Sequence, residues 1–196
     1  MFQVRIHGRG GQGVVTAAEL LSIAGFVQGR HAQAFPSFGS ERTGAPVVAF
    51  ARFDDRPIRV REPIIIPDAV IIQDPTLLHQ VDVFSGLPDE GYLIINSSRG
   101  FIELGLEDLL TRMPPRHLVT VPATELALEH VGRPLPNAVL LGGFAALTGV
   151  VSLDSVTAAI EQKFSARLAA GNAAAARAAF ETVGAQLMHS GEVEHA

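Results

Sequence analysis

The strongest constraint on this chain lies at its start. Phe2-Gln3-Val4-Arg5-Ile6 alternates apolar and polar residues as a strand does. After His7 comes Gly8-Arg9-Gly10-Gly11-Gln12-Gly13, a tight turn, and then Val14, Ala18, Leu21 and Gly25 recur at intervals of four, three and four, the spacing of one helix face. A strand, a glycine loop and a helix in direct succession bring the N–H groups of the loop and of the first helical turn to one point. The helix dipole adds partial positive charge there, so an anion such as phosphate is the natural occupant.

Two phosphate-binding patterns share this glycine spacing. A P-loop needs Lys and then Ser or Thr after the last glycine, and Val14 and Val15 stand there instead. The dinucleotide fingerprint fits Gly8, Gly10 and Gly13 but expects an acid about 20 residues on to hold the ribose. The next strand, residues 31–35, runs instead into Pro36-Ser37-Phe38-Gly39, and the first acid after it is Glu41. Close helix–strand packing with no ligand is the third explanation of the glycines.

A chain of 196 residues, 47% hydrophobic and 18% charged, suits one domain with a sizeable core. It contains no Cys, which excludes disulfides and thiolate ligation of an iron–sulfur cluster by this chain. Arg5, Arg9 and Glu19 interrupt the N-terminus, so no signal peptide is expected. The apolar run 138–151 is too short to span a bilayer, and a cytoplasmic protein without membrane contact is the expectation. The net charge of −5 hides an asymmetry, with +4 over residues 1–61 and −9 over the rest. A basic first third beside the glycine loop suits an anionic ligand or an acidic partner. With Lys163 as its one lysine and no basic, aromatic-rich motif, the chain does not read as a nucleic-acid binder.

Further along, residues 31–35 read as a strand, 36–46 as a long loop dense in turn residues, and 46–53 and 58–61 as the two arms of an antiparallel hairpin about the turn 54–57. Arg52, Arg56, Arg59 and Arg61 then mark either a solvated, guarded sheet edge or a docking surface for an acidic partner. Strands are predicted over 69–72, 91–96 and 117–121, each ending in polar turn-forming residues, with a helix through 129 after the last. Helices follow over 137–147, 152–164 and 166–188, with Ser152 and Ser165 as N-caps and a frayed tail over 191–196. The alanine-rich last helix implies either close packing on a neighbour or simple helix propensity. The fold expected is α/β: an open, mostly parallel, doubly wound sheet with an antiparallel hairpin and a helical C-terminal third, its strand ends and glycine loop sharing one rim.

Catalytic or metal-binding sets are absent from the pattern. The seven His residues are scattered with no pair at ligand spacing, and there is no Gly-x-Ser-x-Gly elbow. His7 stands apart because it opens the glycine loop. Gln3 and Arg5 conflict with a central strand covered on both faces. They imply that a helix leaves that face partly open, or that a partner chain or ion pair meets Arg5.

Taken together, Ile6-His7-Gly8-Arg9-Gly10-Gly11-Gln12-Gly13 and the later Ala34-Phe35-Pro36-Ser37-Phe38-Gly39-Ser40-Glu41-Arg42-Thr43-Gly44-Ala45-Pro46 resemble the gamma subunit of the pyruvate:ferredoxin oxidoreductase family, the 2-oxoacid:acceptor oxidoreductases. Asn96-Ser97-Ser98 and Pro136-Asn137-Ala138-Val139-Leu140-Leu141-Gly142 resemble that family's later landmarks, so the similarity covers about residues 2–165.

The resemblance implies a subunit, inactive alone, of a hetero-oligomer that decarboxylates a 2-oxoacid on thiamine diphosphate, passes electrons through iron–sulfur clusters and forms acyl-coenzyme A. Thiamine diphosphate, Mg and the clusters would sit in alpha, beta and delta-type partner subunits, with ferredoxin, flavodoxin or NAD as acceptor. It leaves pyruvate, 2-oxoglutarate, branched-chain and aromatic 2-oxoacids open. Coenzyme A carries a diphosphate and a 3′-phosphate, which suit an N–H-rich loop flanked by arginines. Gly8, Arg9, Gly10, Gly11, Gln12 and Gly13 with Ser40, Glu41, Arg42 and Thr43 are therefore expected along its phosphate path, with Asn96 and Asn137 bordering the same cleft. No catalytic or metal-binding residue is expected in this chain. A free-standing dinucleotide-binding oxidoreductase and a purely structural subunit are the alternatives.

Overall fold

The computed structural model describes residues 1–37 and 43–193, with side chains through 189. The strands are β1 (Phe2–Arg9), β2 (His31–Pro36), β3 (Pro46–Asp54), β4 (Ala69–Ile72), β5 (Tyr92–Asn96) and β6 (Leu118–Val121). The helices are α1 (Val14–Val27), α2 (Glu107–Arg112), α3 (Ala123–Val131), α4 (Asn137–Thr148), α5 (Leu153–Lys163) and α6 (Ala166–Val193). The strands form one sheet in the order β2-β3-β1-β4-β5-β6. β3 is antiparallel to both of its neighbours, and the remaining neighbours pair parallel, so five strands run one way and β3 alone opposes them.

The mostly parallel α/β sheet is as expected, but its antiparallel element is built differently. Residues 58–61 form no strand. β2 and β1 already hydrogen-bond both edges of β3, which leaves no free ladder for a hairpin arm. The helices begin and end close to their expected bounds. Ser152 caps α5, its side chain accepting from the N–H of Ser155. α6 continues through Val193, beyond the expected fraying point, and residues 194–196 lie outside the described residues. α2 and the 3-10 turns Pro75–His79 and Pro115–His117 are too short to carry a periodic signal.

The sheet's two faces differ. Val4 and Ile6 of β1, Ala49, Ala51 and Phe53 of β3, Ala69 and Ile71 of β4, and Ile94, Val119 and Val121 form one core with α1, α3, α4, α5 and α6. Within it the alanine-rich helix packs closely. A Cβ on Gly142 of α4 would stand 1.9 Å from the carbonyl oxygen of Ala176, so only glycine admits this approach. On the opposite face Val70, Ile72, Leu93 and Ile95 pack under Leu77, Val83, Leu87, Phe101, Leu104, Leu109 and Met113.

That second core is confined to the parallel half. Over β1 and β3 the same face carries Gln3, Arg5, His7 and Arg52, and an irregular strap, residues 57–67, crosses it. Gln3 Nε2 donates to the carbonyl of Ile66 at 3.3 Å, Arg5 Nη1 to that of Ile65 at 3.4 Å, and Arg52 to those of Val60 at 3.4 Å and Glu62. Arg5 also reaches the carbonyls of Val83, at 3.1 Å, and Ser85. The polar residues of the central strand are thus met by backbone carbonyls of the chain's own strap and of Val83 and Ser85. Among the described residues no carboxylate lies within ion-pair distance of Arg5 or Arg52, and no helix is long and apolar enough to cross a membrane.

Candidate functional site

The carboxyl ends of β1 and β4 lie side by side at the place where the chain's winding divides. From β1 it leaves through α1 towards β2 on one face. From β4 it leaves towards β5 through Leu77, Val83 and Leu87 on the other. Divergent connections open a crevice between two parallel strand ends, and ligands of open α/β sheets sit there. The glycine loop and residues 73–76 meet at these strand ends, where Arg9 and Gln12 hydrogen-bond Asp74.

Gly13 is the N-cap of α1 at φ 70° and ψ 36°, a left-handed conformation that admits glycine most readily. A Cβ there would also lie 2.4 Å from Asn137 Nδ2, because the start of α4 abuts the loop from beneath. No side chain caps α1, and no acid occupies its first turn. The N–H groups of Val14, Val15 and Thr16 therefore have no acceptor among the described residues, as the geometry of a helix start dictates. They border a cleft of about 490 Å³ lined by Arg9, Gly10, Gly11, Gly13, Val14, Val15, Thr16, Thr43 and Val47. Other loop amides are spent internally. Gly10 donates to the Ala45 carbonyl at 2.9 Å, and Gln12 to that of Arg9 at 3.0 Å. The Gly44 N–H in turn reaches the Gly10 carbonyl at 3.0 Å.

Arg9 is held from several sides. Its guanidinium donates to Asp74 at 3.1 Å, Thr76 Oγ1 at 2.7 Å, Gln80 Oε1 at 2.9 Å and the Gly44 carbonyl at 3.0 Å. Gln12 staples the loop by accepting from the Arg9 N–H at 2.8 Å and donating to Asp74 at 2.8 Å. Asp74 is the hub, its second oxygen accepting from Thr76 N–H at 3.0 Å and Thr76 Oγ1 at 2.6 Å. Burial alone would raise its pKa. The hydrogen bonds from Thr76 and Gln12 and the charge of Arg9 outweigh burial and hold the carboxyl below its ordinary value. Arg9 is thus a fixed wall of the cleft rather than a mobile cation.

Of the residues expected along the phosphate path, Arg9, Gly10, Gly11, Gly13 and Thr43 line the cleft, with Gly10 and Thr43 bridged. Gly8 lies buried below it against Val14, Gln12 is the staple, and Ser40, Glu41 and Arg42 lie outside the described residues. Asn137 is buried beneath Gly13 with its Oδ1 accepting from the Ala138 N–H at 2.9 Å, so it supports the loop rather than lining the cleft. Asn96 does not border the cleft. Its Nδ2 donates to the Gln73 carbonyl and Thr124 Oγ1, both at 2.8 Å, and its Oδ1 accepts from the Thr124 N–H at 3.1 Å, locking β5 to the start of α3.

Sequence reasoning missed Asp74 and Thr76. The Asp-Pro step after a buried strand signalled a turn, and only the fold brings it against Arg9. The reading also missed Gln73, which is 1% exposed and whose side-chain amide has no partner among the described residues. His7 lies buried on the strap side of β1, its Nε2 accepting from Arg5 Nε at 3.0 Å. Burial, reinforced by the Arg5 charge, lowers its pKa to about 4, so the ring is neutral at neutral pH. Among the described residues no group of three His, Asp or Glu could hold a metal ion.

Residues 3–182 match the family described as pyruvate ferredoxin/flavodoxin oxidoreductase. The chain belongs to this family. It is 49% identical over 181 residues to the "Pyruvate/ketoisovalerate oxidoreductases common subunit gamma" of Pyrococcus abyssi, covering 92% of this chain and 96% of that one. The crystal structure of pyruvate oxidoreductase subunit PORC of Thermotoga maritima superposes with a TM-score of 0.76 at 34% identity, covering 92% of this chain and 95% of that one. A 2-oxoglutarate:ferredoxin oxidoreductase of Magnetococcus marinus, with 2-oxoglutarate, coenzyme A and succinyl-CoA bound, shares the fold. Its TM-score is 0.66 at 17% identity, over 96% of this chain and 31% of that chain.

Proposed function

We propose that the cleft at the start of α1 receives the phosphates of coenzyme A within a 2-oxoacid:acceptor oxidoreductase complex. The coarser function follows from kinship, since this chain, like its relatives, is a gamma-type subunit of an oxidoreductase complex. The observation that carries the finer reading is the uncapped start of α1. Its free N–H groups and partial positive charge, with Arg9 fixed beside them, open on a cleft that Thr43 and Val47 close on the β3 side of the loop. Coenzyme A brings anionic oxygens of matching chemistry. In this reading the chain binds and orients the acyl acceptor, and it does not itself move electrons.

Thiamine diphosphate, Mg and iron–sulfur clusters belong to alpha, beta and delta-type partners. This chain offers no thiolate, so its residues do not fit a cluster. Ferredoxin, flavodoxin or NAD takes the electrons at other chains, and the complex works in the cytoplasm.

The test is Val15→Asp in the assembled complex. A carboxylate in the first helical turn suits the dipole, so the fold is kept while the anion's place is taken. Coenzyme A titrations should show at least about a tenfold rise in Kd, with the KM for the 2-oxoacid unchanged. Arg42→Ala should act in the same direction. Unchanged coenzyme A binding in both variants would leave the chain a purely structural subunit. Nicotinamide dinucleotide bound by the isolated chain would favour a free-standing enzyme.

A further inference from the structure

The strap over the polar sheet face has an inner side and an outer side with different work. Its inner side is fixed by Gln3, Arg5 and Arg52, which reach four of its carbonyls. Arg52 is only 2% exposed, and a guanidinium is seldom buried without a carboxylate. Here neither arginine has a carboxylate within ion-pair distance among the described residues; carbonyl oxygens accept from both, with the His7 ring helping to hold Arg5 and the Gln3 and Gln33 amide oxygens helping to hold Arg52. Ile64 is buried and anchors the middle of the segment, and Pro57, Pro63 and Pro67 restrict its backbone. The strap is therefore held in one shape.

Its outer side is left apolar and cationic. Ile65 is 74% exposed, Ile66 65% and Val60 39%, three branched apolar side chains within seven residues. Arg56, Arg59 and Arg61 are exposed beside them and make no ion pair among the described residues. Glu62 is the one acid between Arg56 and Ile66. A preformed surface with an apolar centre and unpaired cations at its margin has the anatomy of a protein interface.

We infer that residues 56–66 dock this chain onto a different subunit of its complex, through a surface with an apolar centre and an acidic rim. The inference rests on the reading of this chain as a subunit but is independent of coenzyme A. A second copy of the chain is disfavoured by charge. A two-fold contact sets the same patch against itself, so three arginines with one intervening acid, Glu62, would face an equally basic patch. The partner's carboxylates answer the arginines and steer the encounter, while Ile65 and Ile66 supply the area removed from water.

The test uses the complex as purified through a tag on this chain, with recovered subunits measured by native mass spectrometry. Arg59→Glu/Arg61→Glu and, separately, Ile65→Asp/Ile66→Asp should each reduce co-purifying subunits by about tenfold or more. Because these side chains are exposed, both variants should keep the wild-type melting temperature as isolated chains. Arg167→Glu/Arg177→Glu, on the exposed side of α6, should assemble normally. Wild-type recovery in both strap variants overturns the docking surface while leaving the subunit reading intact. A homodimer of the isolated chain that either strap variant dissolves also overturns it, in favour of a second copy. A wild-type chain that recovers no other subunit overturns both.

Discussion

Arg9, the last residue of β1, and Asp74, 65 residues later, face each other at 3.1 Å across the crevice between two parallel strand ends. The pair does more than balance charge. With Gln12 and Thr76 it fixes the height and orientation of the loop that opens the cleft.

Asp74→Asn keeps the shape and removes the charge. Arg9 and Gln12 then lose their shared acceptor, and stability should fall by about 1–3 kcal/mol, with faster hydrogen exchange at the amides of residues 11–13. The wild-type carboxyl titrates below its ordinary value, so its contribution is complete above the unfolded pKa of about 3.9 and disappears as pH falls through the folded value. Urea midpoints followed below pH 5 should show this loss in the wild type and not in the variant.

His7 gives a pH dependence of its own in a higher window. Its folded pKa of about 4 lies below that of the unfolded ring, so the unfolded state takes up the proton first and acid destabilises the fold from about pH 6.5 downward. The loss between pH 7 and 5 should be on the order of 2 kcal/mol. His7→Gln retains an acceptor for Arg5 and cannot be protonated, and its urea midpoint should lack this component.

Gly13→Ala meets two obstacles, a left-handed φ and the Asn137 side chain at 2.4 Å. We expect a loss of about 1–3 kcal/mol and weakened coenzyme A binding. Combining it with Asn137→Ala removes the clash but not the backbone strain. The double variant should therefore be more stable than the sum of the two single losses predicts, a coupling measurable by denaturant titration.

Gly142→Ala should cost about 1–3 kcal/mol or more, because the added methyl points at the Ala176 backbone, which cannot rotate aside. The melting temperature of the isolated chain reads this directly. The cleft at the start of α1 should be unaffected.

Residues 2–27 could be read as strand, glycine loop and helix without coordinates, because each of those forms is set by neighbours within a turn or two along the chain. The same holds for the Ser152 cap and for the long helices of the last third. Pairing is another matter. β3 lies between β2 and β1 instead of folding back on residues 58–61, a choice made by whichever edges are free, not by any alternation within the segment. Gln3 and Arg5 looked misplaced because the strap carbonyls that accept their hydrogen bonds lie 63 and 60 residues away. Asn96, expected at the cleft, instead serves the β5–α3 junction, since Thr124 and the Gln73 carbonyl satisfy its amide. The sequence alone determined where N–H groups would be left unpaired, since helix starts follow from local pattern. Only the tertiary structure decided which distant carboxylates and carbonyls meet the arginines, since a buried guanidinium takes whatever acceptors the fold brings within reach.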